Sequence, residues 1–310
     1  MSDSRDLVER FASLFEGRRD AYGADHGECI RLNEAEHGFQ HLVWNGLWKN
    51  HLSGDQPIGV YPIVSYLVKW GCSDIDVDDL QAAVNLRNAL KALDITAWIE
   101  VSKAKGYHVW VFAEGWMPAA AMRRALLAAH DIAGVPATEV NPKQERLAPN
   151  AFGNYVRLPY PGGLQAQWND GRRLVIDPDL NNVAMPLTVF LDVADFHRTS
   201  QAVLQAAADL YVPPPEPEKI SVKPVGFRGR LDAQTRLNGL AWTIYCDGPL
   251  EGGDRSGTLF KLAVAAFDSG LDPNEVYTIV EDADARWGKF SERRDGAQQL
   301  ERIVARAASA

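Results

Sequence analysis

In the stretch WGCSDIDVDD, Trp70 to Asp79, four acids fall within six residues directly after an apolar run. Like charges crowded this way repel, and folding alone does not reward them. On an extended strand, residues two apart share a face. Asp74 and Asp76 would then present their carboxylates side by side, with Ile75 and Val77 turned to the core behind them. Carboxylates stacked at a strand end call for hard divalent cations, Mg²⁺ or Mn²⁺, which take oxygen ligands. The plainer alternative is a helix start, where the dipole favours negative charge. That accounts for Asp79 and for Asp78 beside it, but Asp74 and Asp76 lie too early. A calcium loop of the EF-hand kind is excluded, because Asp79 stands where glycine is needed and Asn85 where the final glutamate is needed.

Three further segments carry chemistry. In VSKAKGYHVWVF, the residues Ser102, Lys103, Lys105 and Gly106 form a turn and His108 opens the next strand. A hydroxyl, lysines and a glycine beside an imidazole can hold phosphate oxygens, the glycine by letting the backbone come close. The competing reading is a solvated hairpin turn followed by an ordinary strand histidine. In TEVNPKQERL, Glu139 ends a short strand, Pro142 stops it, and Lys143 and Gln144 follow. Glu139 would bring a third carboxylate to the aspartate pair; otherwise it is a surface acid before a turn. In FGNYVRLPYPGG, Gly153 and Asn154 turn the chain and Arg157 sits in an apolar strand. A strand arginine is either a surface residue or a phosphate ligand.

The elements that must position these residues read as a mixture. RDLVERFASLF has helical spacing. GVYPIVSYLVKWGCSDIDV is rich in β-branched and aromatic residues and predicts one or two strands. VDDLQAAVNLRNALKAL is an amphipathic helix with Leu80, Ala83, Val84, Leu86 and Leu90 on its apolar face. ITAWIEV and YHVWVFA are strands around the turn SKAKG. PAAAMRRALLAAHDIAG is a helix with Pro118 near its start and Gly134 after its end, and ATEV is a short strand. The order strand, helix, hairpin, helix, strand defines an α+β core like a split βαβ sheet.

VPPPEPEKISVKPVGF, Val212 to Phe227, holds five prolines and reads as a stiff, extended linker. The expected organisation is a catalytic domain over residues 1–211, a proline-rich linker over 212–228 and a helical domain over 229–310. In the last, SGTLFKLAVAAFDSG would start from a Ser256 cap. DPNEVYTIVEDADARW would start from Asp272 with Pro273 at the first helical position, and DGAQQLERIVARAA closes the chain.

Length and composition bound the function. The 310 residues suffice for one large domain or two unequal ones, and 46% of them are hydrophobic. A net charge of −9 argues against coating duplex DNA by bulk charge, though not against a local basic groove. The cysteines Cys29, Cys72 and Cys246 form no CxxC pair, which predicts neither a disulfide framework nor a zinc ribbon and fits a reducing cytoplasm. The set His26, Cys29, His37 and His41 matches no common zinc spacing. There is no signal core and no apolar run long enough for a membrane span. Trp44, Trp48 and Trp110 fit core packing better than stacking on bases. GGDRSGT lacks the lysine of a phosphate loop before Thr258, so ATPase activity is not expected.

Taken together, the four chemical segments resemble the archaeo-eukaryotic primase superfamily, the primase-polymerases. Asp74-Ile75-Asp76 is similar to its first motif. Ser102 to His108 fills every position of its S-x-x-K-G-x-H second motif. Glu139 stands at its third, with Asp177 in VIDPDL a rival because the family more commonly has aspartate there. NPKQ, GNYVRLP and FEGRRDAYG look like segments of the phage and mobile-element branches. The resemblance spans about Phe11 to Asp195, without the zinc-binding cysteine cluster of many relatives. It implies an RRM-like core that adds nucleotides to a 3′-hydroxyl on a single-stranded DNA template, with or without a primer. It also implies two Mg²⁺ or Mn²⁺ ions held by Asp74, Asp76 and Glu139. Ser102, Lys105, Gly106 and His108 would grip an incoming NTP or dNTP, with Lys143 and Arg157 contacting phosphate or template. A helicase would come from another chain. A metal-dependent nuclease is the first alternative, but Glu100 and Lys103, three apart, do not share a strand face as its E-x-K pairing requires. A glycosyltransferase using D-x-D with manganese would need a longer preceding nucleotide-binding half. A non-catalytic single-strand-binding protein would not need three convergent acids.

Overall fold

The structure is a computed structural model. It describes residues 4–24, 26–32, 40–76, 79–103, 105–148, 151–165, 172–213, 221–226, 229–249 and 254–309, with the side chains of Gln40, His41, Leu42 and Arg230 excepted. The chain divides into two compact units, Met1–Val212 and Pro213–Ala310. The first is a mixed α/β structure built on antiparallel sheets.

Six strands form its main sheet: β4 (Leu67–Ile75), β5 (Ala97–Val101), β6 (Tyr107–Pro118), β7 (Glu139–Asn141), β9 (Leu174–Asp177) and β10 (Val183–Ala184). Their order is β10-β9-β5-β6-β4-β7, with every neighbour antiparallel. One face is covered by α3 (Leu80–Ala92), α4 (Ala119–Ala133) and α6 (Gln201–Asp209), whose apolar residues join Ile75, Ile99, Val109, Val111 and Val140 in one core. The caps follow the sequence: Asp79 accepts from the backbone N–H groups of Gln81 and Ala82, and Gly134 ends α4 in the left-handed region. Gly71 of β4 lets α4 lie close on that strand. A Cβ added to Gly71 would come within 2.8 Å of Met122 and Leu126 side-chain atoms.

The opposite face is aromatic. It is covered by α1 (Ser4–Leu14), α2 (Gln40–Ser53) and α5 (Leu187–Phe196), with a second sheet ordered β2-β1-β3-β8 from β1 (Ala21–Ala24), β2 (Cys29–Arg31), β3 (Ile58–Val60) and β8 (Val156–Arg157). Phe11, Trp44, Trp70, Trp110, Phe112 and Phe190 are buried here. Phe15 stands edge-on to both Trp110 and Phe112 at 5.1 Å between ring centroids. In the small sheet, Gly23 and Gly59 are register partners, and a Cβ on either would run into the Tyr155 ring. Trp44, Trp48 and Trp110 are core residues, in line with the preference for packing over stacking on bases.

Among the described residues the second unit carries α7 (Arg230–Arg236), α8 (Gly239–Asp247), α9 (Arg255–Asp268), α10 (Pro273–Trp287) and α11 (Gly296–Ala307). Asp272 and Glu275 form a reciprocal capping box at the start of α10, with Pro273 at its first position. The expected Ser256 cap is corrected. Asp254 caps α9 by accepting from the Ser256 N–H, because a carboxylate two residues upstream reaches the free amide that a serine inside the helix cannot. Residues 214–220 and 227–228 of the proline-rich stretch, Gly252, Gly253 and His37 lie outside the described residues. Val222 is buried in this unit's core, and the N–H groups of Lys223 and Val225 donate to the Asn274 and Thr278 side chains. Among the described residues no helix is long and apolar enough to cross a membrane.

A polar pair crosses the helical face of the main sheet. The buried His130 of α4 places Nδ1 3.0 Å from the Val135 carbonyl and Nε2 2.9 Å from the Ser73 hydroxyl. Neutral imidazole satisfies both, donating at one nitrogen and accepting at the other. Burial lowers its pKa below the ordinary 6.5, against smaller opposing effects of the Val135 carbonyl and Asp131. The unfolded chain therefore binds the proton more readily, so the stabilisation is complete above about pH 6.5 and is lost as pH falls below it. Unfolding free energy measured in urea should decline with acidity below that point, and His130→Gln should flatten the decline.

Candidate active site

Antiparallel register lines up the polar residues. On β4, Asp74 is opposite His108 of β6 on one side and Glu139 of β7 on the other. His108 is in turn opposite Glu100 of β5. Directly opposed residues share a sheet face, so Glu139, Asp74, His108 and Glu100 form one row across four strands, on the aromatic side of the sheet. β4 ends at Ile75, short of the predicted Val77. Asp76 follows it exposed, and Val77 and Asp78 lie outside the described residues. Asp177, the rival third acid, is separated from β4 by β5 and β6 and accepts from the Asp179 N–H instead.

The row grades from exposed to buried. Glu139 pairs with Lys143 at 2.6 Å, each side chain one-third exposed. Asp74 is half-buried, its Oδ2 3.8 Å from His108 Nε2. His108 Nδ1 lies 2.9 Å from Glu100 Oε2, and the same oxygen accepts from the Trp110 indole N–H at 2.7 Å. Glu100 is 1% exposed. Burial by itself lowers the His108 pKa. The charges of Glu100 and Asp74, with the hydrogen bond to Glu100, outweigh it and push the imidazolium up to about 10. On the same face Cys72 is held well above the usual thiol range, first by burial and then by the charges of Asp74, Glu100 and Glu139.

The turn between β5 and β6 sits at the end of this row. The Ser102 N–H donates to the Gly106 carbonyl at 3.1 Å, and the Ser102 hydroxyl donates to the Lys105 carbonyl at 2.6 Å. The Ser102 carbonyl accepts from Arg172 Nε at 2.7 Å. The hydroxyl read from the sequence as a phosphate donor thus closes the turn, and must leave Lys105 to donate elsewhere. Gly106 has φ +77°, and a Cβ there would overlap the Ile75 carbonyl. The close backbone approach that the sequence assigned to phosphate is made here to β4. Lys105 is exposed on the turn. Arg157 lies on β8 of the small sheet, its guanidinium 6.0 Å from the centroid of the Tyr155 ring.

Among the described residues no group of three or more His, Cys, Asp or Glu side chains is placed to hold a metal ion. Carboxylate oxygens are nonetheless the donors a hard divalent cation takes: Asp74 and Glu139 are register partners and Asp76 follows one residue beyond the strand, while Lys143 occupies Glu139 and would have to leave it to a cation. The arrangement can seat cationic charge at Asp74 and Glu139 and offer the His108 Nε2–H beside them to an anion, with Lys105 exposed on the neighbouring turn. Sequence reasoning missed Glu100 and Arg172. Glu100 could have been found by counting outward from the turn, since Val101 opposite Tyr107 puts Glu100 opposite His108.

Residues 28–200 match the family model described as "TOTE conflict system, Archaeo-Eukaryotic Primase domain". That is more than half of the chain, which therefore belongs to the archaeo-eukaryotic primases. No curated protein matches the chain. Four chains among solved structures match it. One is titled "Crystal structure of primase RepB'", with 14% identity over 99% of this chain and 95% of that one, at a TM-score of 0.24. A score that low does not bear on the fold.

Gly106 gives the site's most direct mechanical test. Gly106→Ala should destabilise the chain by about 1–3 kcal/mol, from left-handed strain together with displacement of the β4 end. A urea-unfolding midpoint equal to that of the parent would show that turn and strand do not meet as described.

Proposed function

We propose that the chain is a template-directed primase-polymerase, adding nucleotides to a 3′-hydroxyl on single-stranded DNA and serving DNA replication. The observation that carries this reading is the cross-strand row Glu139–Asp74–His108 beside the Ser102–Gly106 turn, in a chain of the primase family. The segment β4-α3-β5-β6-α4-β7 serves as an RRM-like split βαβ core, its strands ordered β5-β6-β4-β7. The helical unit after it is a separate C-terminal domain.

In this reading Asp74, Asp76 and Glu139 would hold the Mg²⁺ or Mn²⁺ ions. Such ions, when bound, lower the pKa of an attacking hydroxyl and neutralise a leaving pyrophosphate. His108 turns its Nε2 toward the acids and donates a charge-assisted hydrogen bond to the incoming triphosphate. Lys105, exposed on the turn, adds a mobile positive charge, and the Ser102 and Gly106 backbone keeps the turn closed beneath it. Lys143 releases Glu139 to reach phosphate, while Arg157 contacts the template. Unwinding of duplex DNA is left to a helicase on another chain.

Primed and unprimed single-stranded DNA, labelled nucleotides and Mn²⁺ test the proposal on a product gel. Extension is expected from the parent chain. Asp74→Ala or Asp76→Ala should abolish it with the urea midpoint little changed. His108→Ala should mainly raise the KM for nucleotide. Shortened template without extension would instead identify a nuclease, and retarded template with neither would identify a binding protein.

A further inference from the structure

The main sheet buries one carboxylate that the reaction described above does not use. Glu100 is 1% exposed in the middle strand β5, beneath aromatic residues. An acid in such a place is unfavourable unless its oxygens are hydrogen-bonded. Its Oε2 accepts two N–H groups, from His108 Nδ1 and Trp110 Nε1, both on β6 and both on the same sheet face. Trp110 is itself immobilised, fully buried and edge-on to Phe15. It stands perpendicular to the His108 ring at 5.7 Å. The indole thus anchors the carboxylate, and the carboxylate sets the imidazole.

We propose that Glu100 is the positioning residue of the nucleotide site: it holds the His108 ring with a proton on Nδ1 and directs Nε2 into the acid row. The proposal rests on the reading that His108 binds the triphosphate. An imidazole has two nitrogens, and which of them faces a ligand is fixed by the hydrogen bond that the other makes. With Nδ1 committed to Glu100, Nε2 is left 3.8 Å from Asp74 Oδ2, where it faces the acids. Without Glu100 the ring can rotate about its side-chain bonds, and the donor is no longer pre-placed for an anion.

The test is a double-mutant cycle on the full chain, with Glu100→Gln, His108→Ala and the pair. ATP and dATP, each with Mn²⁺, are titrated by calorimetry. Glu100→Gln should weaken nucleotide binding about tenfold in the parent, the size of one charge-assisted hydrogen bond. In the His108→Ala background it should weaken binding by less than about twofold, since independent effects add and coupled ones do not. Equal weakening in both backgrounds would reduce Glu100 to a structural role, and none in the parent would overturn the proposal. If His108→Ala itself leaves affinity unchanged, the assignment of His108 to the nucleotide fails first and the positioning role falls with it. Should Glu100→Gln fail to fold, nitrogen-15 spectra of histidine-labelled parent chain decide the matter. A proton on His108 Nδ1 protected from exchange is expected, and an unprotonated Nδ1 overturns the proposal.

Discussion

Strand register is the constraint on which the rest depends. Side chains alternate between faces with a period of two, so a slip of one residue would carry every polar group to the opposite side. Here β7, β4, β6 and β5 are paired such that four titratable side chains face the aromatic core in one line. Their neighbours in sequence, among them Ile75, Val109, Ile99 and Val140, face the helices. The burial of those apolar residues fixes the register, and the register fixes the site. The polar row is thus held by hydrophobic contacts on the side of the sheet that takes no part in the chemistry.

Charge along the row is balanced only in part, three carboxylates facing two cations. Lys143 meets Glu139 at the exposed end, and imidazolium meets two carboxylates toward the interior. Screening by water weakens toward Glu100, so each interaction there counts for more than at the rim. A group entering from solvent meets half-buried acids first and finds the histidine behind them already oriented.

Much of this was legible in the sequence, for physical reasons. The strand β4 showed itself through β-branched and aromatic residues, α3 through helical apolar spacing, and the hairpin through two apolar runs around SKAKG. Asp272-Pro273 and Asp79 announced their helix starts by capping chemistry. The small sheet was legible only in part: strands were expected around Arg157 and in GVYPIV, where β8 and β3 lie, but β1, β2 and the pairing of the four were not. Its strands are two to four residues long, too short for any period to register, and they are joined across long stretches of chain. Nor did α2 declare itself, since Trp44, Trp48 and His51 on its buried face put large aromatic and polar groups where an aliphatic stripe would be recognised. Glu100 was weighed only against Lys103, with which it shares no strand face. Only the aromatic layer above it, assembled from α1, β6 and α5, turns that position into the interior. Ser102 and Gly106 were marked as significant, but their partners lie in their own turn and on β4, and contacts of that kind cannot be read from one segment alone.

The missing side chain at Gly106 leaves the hairpin tip resting directly on the carbonyl of Ile75, the last residue before Asp76. Backbone on backbone leaves no compliant spacer between them. A displacement of the tip by even a fraction of an ångström therefore tugs the strand terminus with it, so that under the proposed function grasping polyphosphate and aligning the aspartates would be a single lever rather than two separate adjustments.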